Sequence, residues 1–265
     1  MAFVQTDVRI HYDVVGDGPP VLWHTGGCGD GRMWQLAGYL DAVDGYTHVV
    51  MDHRGRGESE APRDAHGHRM TNYVADALAV LDDAGVDRAA FVGYSFGARV
   101  GFAAAEAVPR RLAGLIALDS FPDPSVSAEE VREDAAEVRA RGTRDVIAQF
   151  VSEEREPVPG WLVEHLSATD TAAFAGSMEA EAEAEAVEPD VWAAAGSVDV
   201  PVLLVLGLEE GDREQRLLGE RFVAALPDAR LATLDVAHLA AFHRTDLTVP
   251  LLREFLGRVT TRAAD

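Results

Sequence analysis

Short, uninterrupted apolar runs recur along the chain and restrict its fold more than any other feature. They occupy residues 21–23, 48–51, 89–92, 112–118, 202–206 and 230–234. A strand that is apolar without alternation is buried on both faces, and the stretches between most of these runs have the spacing of amphipathic helices. This alternation of apolar runs and helical stretches predicts an α/β fold, with a mostly parallel sheet and helices on both of its faces.

The N-terminal segment has a different pattern, because its apolar residues alternate. Val8, Ile10, Tyr12 and Val14 share one face at period two, and a similar short run precedes Asp7. This alternation predicts an antiparallel hairpin at the start of the sheet. Helices are predicted at residues 72–84, 98–107, 214–225 and 248–259.

Residues 122–198 break the alternation, since they contain no strand pattern and are rich in Glu and Ala. Ser127 and Glu130 have the spacing of a capping box, and further helices are expected to start at Thr143 and Pro159. The repeat EAEAEAEA at 179–186 is assigned to helix, because Glu and Ala are poor strand formers. We therefore expect a core of residues 1–121 and 199–265, with a helical cap insertion at 122–198 over the strand ends.

Composition limits the classes of partner. The net charge of −22 speaks against nucleic acid and against an anionic membrane surface. Every basic residue is Arg, which excludes Schiff-base chemistry on Lys, and the single cysteine, Cys28, excludes an intrachain disulfide. With no secretion-signal pattern and no apolar run of about 18 residues, we expect a cytoplasmic protein that acts on a small molecule.

The sequence GYSFG at 93–97 carries the first chemical signal. It follows an apolar run and precedes a helical stretch of small residues. A sharp strand–turn–helix needs small residues two positions before and after its centre, and Gly93 and Gly97 meet that need. Such a turn strains the central residue and exposes its side chain at the helix N-terminus. The context therefore predicts that Ser95 is a nucleophile.

Four segments together resemble the motifs of the α/β-hydrolase superfamily, and they occur in the order that this family has. They are HTGGCGD at 24–30, DHRGRGES at 52–59, GYSFG at 93–97 and AH at 237–238. The resemblance implies a mostly parallel eight-stranded sheet with an antiparallel first pair and a helical cap after the sixth strand. It also implies chemistry that needs no cofactor and no metal.

The resemblance assigns roles to individual residues. It implies that Ser95 attacks a carbonyl and that His238 is the general base, with His243 as the nearby rival. The backbone N–H groups of Gly26 and Phe96 would form the oxyanion hole. The chain departs from the family at Thr25, where glycine is usual; a side chain there is expected either to narrow the loop or to add a hydroxyl near the pocket.

The third member of a Ser-His-acid triad is a carboxylate that orients the histidine. The family usually places it in a G-x-x-D pattern after the seventh strand, and Glu210 occupies that position here. Asp212 serves if the turn is longer, and Asp119, after the sixth strand, is a known alternative location in the superfamily. We therefore expect Glu210, with Asp212 and Asp119 as alternatives.

These assignments predict a serine hydrolase that cleaves a small ester or lactone through an acyl-enzyme. The alternatives are a C–C bond hydrolase or lyase on the same triad, and a ligand-sensing receptor with slow or no turnover. The substrate depends on cap side chains whose direction the sequence does not give. The candidates are Phe150, Trp161, Phe174, Met178 and Trp192.

Overall fold

A computed structural model of the chain describes residues 1–62, 65–123, 127–185, 195–208 and 212–261. Its centre is one eight-stranded sheet in the order β1-β2-β4-β3-β5-β6-β7-β8. The strands are β1 (Ala2–Gln5), β2 (Arg9–Val15), β3 (Pro20–His24), β4 (Thr47–Met51), β5 (Ala89–Tyr94), β6 (Leu112–Leu118), β7 (Val202–Gly207) and β8 (Ala229–Leu234). β2 pairs antiparallel with β1 and β4, and every other pair is parallel, which confirms the predicted sheet.

Helices surround this sheet. They are α1 (Arg32–Leu36), α2 (Tyr39–Ala42), α3 (Met70–Asp83), α4 (Phe96–Ala107), α5 (Ala128–Arg141), α6 (Thr143–Glu153), α7 (Gly160–Ser167), α8 (Thr171–Glu185), α9 (Arg213–Ala225), α10 (Ala240–His243) and α11 (Thr245–Thr261). Short 3₁₀ turns cover Ala65–His68 and Pro109–Arg111. Within the described ranges, no helix combines the length and the apolarity needed to cross a bilayer.

The central strands are apolar throughout because each of their faces contacts a separate cluster of buried side chains. In β5, Ala89 and Phe91 belong to one cluster, while Ala90 and Val92 belong to the other. Successive strand residues point to opposite faces, so the two clusters lie on the two sides of the sheet. Trp34, which is fully buried, packs in the second cluster.

The segment between β6 and β7 contains α5–α8, which we call the cap. α5 starts at the expected capping box: the Glu130 N–H donates to Ser127 Oγ at 3.2 Å, and the Ser127 N–H donates to Glu130 Oε2 at 3.0 Å. α8 contains the EAEAEAEA repeat as far as residue 185 and packs against α5. The boundaries 122–198 of an independent cap stay a prediction.

Candidate active site

Ser95 lies at a sharp turn between β5 and α4. Its backbone has φ 51° and ψ −118°, and among the described residues only Asp119 shares a positive φ without being glycine. The Ser95 N–H donates to Leu118 O at 2.8 Å, and the Ala98 N–H donates to Ser95 O at 2.9 Å. These bonds hold a strained conformation, as is common at functional sites. Because the turn passes directly into the helix, α4 begins at Phe96, two residues before its expected start.

The glycines of the elbow are required by close backbone contacts. A Cβ on Gly93 would lie 2.3 Å from Gly97 O, and one on Gly97 would lie 2.5 Å from the carbonyl oxygens of His24 and Thr25. No side chain fits between these backbones. The packing brings the start of α4 against the loop that follows β3.

Gly97→Ala is therefore expected to lower the free energy of unfolding by about 2 kcal/mol or more, since backbone carbonyls cannot move aside as a flexible side chain can. Gly257→Ala is the matched control, because Gly257 lies in α11 with no other heavy atom within 4 Å of its missing Cβ. There, alanine should stabilise the helix by roughly 0.5–1 kcal/mol. Urea unfolding followed by circular dichroism measures both changes. If both substitutions shifted the free energy of unfolding in the same direction, this account would be contradicted.

The proposed oxyanion donors come from two elements that meet at Ser95. A Cβ on Gly26 would lie 3.2 Å from Ser95 Cβ, so the loop after β3 runs directly along the nucleophile. Phe96 is the first residue of α4, where backbone N–H groups have no intrahelical partner. Thr25 is fully buried, and its hydroxyl lies 3.5 Å from His53 Nδ1. It does not line the cavity of about 530 Å³ that lies between Ser95 and the cap.

His238 follows β8 in a loop that leads to α10. Its backbone carbonyl accepts a hydrogen bond from Tyr94 Oη at 3.1 Å, and its ring centroid lies 5.0 Å from that of Tyr94. Desolvation lowers the pKa of His238 to about 4, so the ring is neutral, as a general base must be. Within the described part of the chain, its ring is not hydrogen-bonded to Ser95 or Asp119; such bonds often tighten only when substrate binds.

The structure places His238, and not His243, in the same cavity as Ser95. His238 lines the same cavity as Ser95, Gly26 and Phe96. His243 lies at the end of α10, where its Nδ1 is 4.0 Å from a carboxylate oxygen of Glu156, and it is not part of that lining.

Asp119 is one of the two candidate acids whose surroundings the structure describes. It directly follows β6, and its Oδ1 accepts the Gly207 N–H at 2.5 Å. A Cβ on Gly207 would lie 3.1 Å from this Oδ1 and 3.2 Å from Ala237 O, so Gly207 is approached both by the carboxylate and by the residue before His238. Desolvation, with a smaller contribution from Glu154, raises the pKa of Asp119 to about 7.

The other two candidate acids follow β7. Asp212 is described; it is exposed and occupies the N-cap position of α9. Glu210, the acid expected from the G-x-x-D pattern, lies outside the described residues. The structure thus describes Asp119 and Asp212 but not Glu210, and the acid of the triad stays a prediction, with Glu210 the residue that the motif favours.

A cavity of about 530 Å³ lies between these residues and the cap, a size that suits a small molecule. Of the cap side chains named above, Phe150, Phe174 and Met178 line it, whereas Trp161 packs against the core and Trp192 lies outside the described residues. Its remaining lining is mixed. Apolar contributions come from Val138, Val146, Ile147 and Leu166, and carboxylates from Asp134, Glu137, Glu153 and Glu181, the last paired with Arg99 of α4.

The cap is attached to the loop after β3 by polar contacts. The Gly29 N–H donates to Thr169 Oγ1 at 2.9 Å, and His165 Nε2 lies 2.9 Å from Asp30 Oδ1. Burial would raise the pKa of Asp30, but the bonds from His165 and Arg32 outweigh it and hold that pKa below its usual range. The loop that contains Gly26 is therefore held in place by contacts with α7 and with the turn that follows α7.

The DHRGRGES segment contains two buried arginines. Arg54 is fully buried and bonds Asp76 at 2.8 Å and Asp7 at 2.9 Å. Sequence analysis missed Arg56, although its position between Gly55 and Gly57 puts a charged residue in a tight turn.

Comparisons with known proteins agree with this architecture. Residues 19–184 match the model of the α/β-hydrolase fold family. The provisionally named carbamate hydrolase RutD of Variovorax paradoxus is 27% identical, with 95% of this chain and 97% of that protein covered. The provisionally named 2-succinyl-6-hydroxy-2,4-cyclohexadiene-1-carboxylate synthase of Bacillus subtilis is 24% identical, covering 94% and 96%. The enol-lactonase of Burkholderia xenovorans superposes with a TM-score of 0.84 at 22% identity, covering 97% and 100%.

Proposed function

Because this chain belongs to the α/β-hydrolase fold family, we propose that it is a serine hydrolase that cleaves a small ester or lactone through an acyl-enzyme. The observation that carries this proposal is a single cavity. It is lined by a serine in a strained elbow, by a histidine and by the two expected oxyanion donors. Nucleophilic catalysis at a carbonyl needs these groups within reach of one substrate atom.

The proposed mechanism has two halves. Ser95 Oγ attacks the carbonyl carbon while His238 takes its proton, and the N–H groups of Gly26 and Phe96 stabilise the resulting oxygen anion. The intermediate then expels the alcohol, which receives the proton from His238. Water, deprotonated by His238, attacks the acyl-enzyme; the second intermediate releases the acid, and the proton returns to Ser95.

For the carboxylate that orients His238 we favour Asp119. Its Oδ1 accepts the Gly207 N–H, which holds the carboxylate at the ends of β6 and β7, and Gly207 is also approached by the carbonyl of Ala237, the residue before His238. Asp212 is exposed at the start of α9, which makes it a weaker candidate. Glu210 remains the alternative, on the strength of its position in the motif.

The relatives support a carbonyl substrate. One is provisionally named a carbamate hydrolase, and a structural neighbour is an enol-lactonase. Carbamates, lactones and esters each contain a carbonyl carbon that a serine can attack. The match to a provisionally named synthase over 94% of this chain favours one second candidate, a lyase on the same residues.

A panel of p-nitrophenyl esters, lactones and aryl carbamates tests the proposal. We expect turnover of at least one class, with a fluorophosphonate labelling Ser95 as identified by peptide mass spectrometry. A lyase would be labelled but would turn over none of the panel. A ligand-sensing receptor would show saturable binding and neither labelling nor turnover, and that result would overturn the enzyme proposal.

The pH dependence of kcat/KM follows from the surroundings of His238. The base must be neutral, and desolvation lowers its pKa from 6.5 to about 4. Asp119, as the carboxylate proposed to orient His238, must be ionised, and its pKa is about 7. We expect kcat/KM to decline as the pH falls through about 7 and to decline further towards pH 4, where His238 takes a proton. Initial rates between pH 4 and 8, with circular dichroism as the control for folding, measure this, and a profile that stays constant down to pH 5 would contradict Asp119 as the acid.

A further inference from the structure

Arg56 is a buried cation with only neutral partners. Its side chain is 2% exposed; Nε donates to Gly27 O at 2.7 Å, Nη1 to Gly55 O at 3.0 Å and Nη2 to Ser177 Oγ at 3.2 Å. Among the residues that the structure describes, it forms no ion pair; Asp170 is the one carboxylate whose charge acts on its pKa. An arginine side chain keeps its proton in proteins, so this group is a permanent charge.

The neighbouring arginine shows what such a charge normally requires. Arg54 is also buried, but it bonds the carboxylates of Asp7 and Asp76. Burying an unpaired charge is unfavourable, and replacing it with an apolar side chain of similar size is often neutral or stabilising. The location of Arg56 is therefore not explained by its contribution to stability.

The contacts of Arg56 point instead to the oxyanion loop. Gly26 lies against Ser95, and the carbonyl of the next residue, Gly27, accepts the hydrogen bond from Arg56 Nε. The Gly27 carbonyl and the Gly26 N–H lie two peptide units apart on the same short loop, so anchoring the carbonyl limits the movement of the loop that carries the Gly26 N–H. An oxyanion donor acts only when it is aimed at the place where the charge develops.

The same side chain reaches the cap. The hydroxyl of Ser177 accepts from Arg56 and donates to Phe174 O at 2.7 Å. The guanidinium carbon of Arg56 lies 5.7 Å from the centroid of the Phe174 ring, and that ring approaches Gly27 to 3.1 Å from its missing Cβ. Phe174 and Ser177 both line the cavity, whereas Arg56 does not. Arg56 thus lies behind the loop and in contact with α8, where it cannot touch the substrate.

We propose that Arg56 is a positioning residue for the oxyanion hole. It holds the Gly26–Gly27 backbone through the Gly27 carbonyl, and its fixed charge, in surroundings of low dielectric, favours the negative oxygen of the tetrahedral intermediate. This inference rests on the proposed serine-hydrolase function. It predicts an effect on kcat rather than on substrate binding.

Substitution of Arg56 in the full chain tests this role. With the best ester of the panel, we expect Arg56→Met to lower kcat about 10- to 100-fold while KM stays within about threefold. Arg56→Lys, which restores the charge without the planar fork, should recover part of that loss. A trifluoromethyl ketone analogue of the ester should bind Arg56→Met more weakly, by about the same factor as the loss in kcat.

Thermal unfolding separates positioning from a structural role. We expect the Tm of Arg56→Met to equal or exceed that of the wild type, because an unpaired buried charge is removed. Ser177→Ala removes only the contact to α8 and leaves the bond to the Gly27 carbonyl, so its kcat should fall by less than that of Arg56→Met.

Two results would overturn the inference. One is a folded Arg56→Met variant with a kcat within threefold of the wild type. The other is a lower Tm with activity lost only in proportion to the unfolded fraction, since that result would make Arg56 structural. If the wild type itself turned over no member of the panel, the serine-hydrolase proposal would fail instead, before any Arg56 variant was compared.

Discussion

Replacing Ser95 with alanine is expected to lower kcat/KM for the best ester at least about 10⁴-fold without unfolding the protein. Alanine keeps the Cβ that already tolerates φ 51°, and it removes only the hydroxyl oxygen that we propose attacks the carbonyl. The backbone bonds from Ser95 to Leu118 and Ala98 do not involve the side chain, so the elbow should persist. Stopped-flow and steady-state rates measure the loss, and circular dichroism measures the fold.

Ser120→Ala is the matched control, because Ser120 lines the same cavity. It should retain activity within about fivefold, as most substitutions outside the reacting groups do. Fluorophosphonate should label the wild type and Ser120→Ala but not Ser95→Ala. Residual activity of a tenth or more in Ser95→Ala would show that another group is the nucleophile.

Asp119→Asn is expected to change activity and stability in opposite directions. If this carboxylate orients His238, the variant should lose about 10³- to 10⁴-fold in kcat, because the amide favours the wrong tautomer of the histidine. Glu210→Gln and Asp212→Asn, made in parallel, should each retain most of the activity. A large loss in Glu210→Gln with little change in Asp119→Asn would reverse the assignment and support the position that the motif favours.

The gain in stability follows from the pKa of Asp119, which is about 7 in the folded protein against 3.8 for the unperturbed group. The contribution of this carboxyl group is fully present below pH 3.8 and is lost as the pH rises through about 7. Asparagine still accepts the Gly207 N–H and tolerates positive φ well. Asp119→Asn should therefore be more stable at pH 8 by up to a few kcal/mol, and urea titrations at pH 4 should show no such difference.

The elements that sequence analysis predicted well depend on short-range patterns. Apolar runs without alternation correctly gave the strands, and the Ser127 capping box correctly gave the start of α5. The elbow is also local, since small residues at fixed offsets around Ser95 are enough to specify a strand–turn–helix. His238, the first histidine after the last strand, lines the cavity as expected, and its role as the base stays a prediction.

The features that could not be predicted depend on contacts between distant parts of the chain. The burial of Arg56 requires the loop after β3 and the cap to close over it, and no local pattern encodes that. The direction of the cap side chains could not be predicted either: Phe150 lines the cavity and Trp161 does not, although both lie in cap helices and pack against the same buried cluster. The acid was ambiguous because several carboxylates follow β6 and β7, and turn geometry decides which one reaches the histidine.

The contacts of Gly29 with Thr169 and of Asp30 with His165 have a consequence for how such a protein can diversify. A cap that merely rested on the sheet could be exchanged between relatives as an independent block, with new specificity and unchanged chemistry. Here α7 and the turn after it anchor the loop that contains Gly26, the proposed oxyanion donor. A chimaera with the cap of another protein therefore also needs matching residues at positions 29–30. Without them, its pocket would have the intended shape, but the loop that contains Gly26 would no longer be held in place.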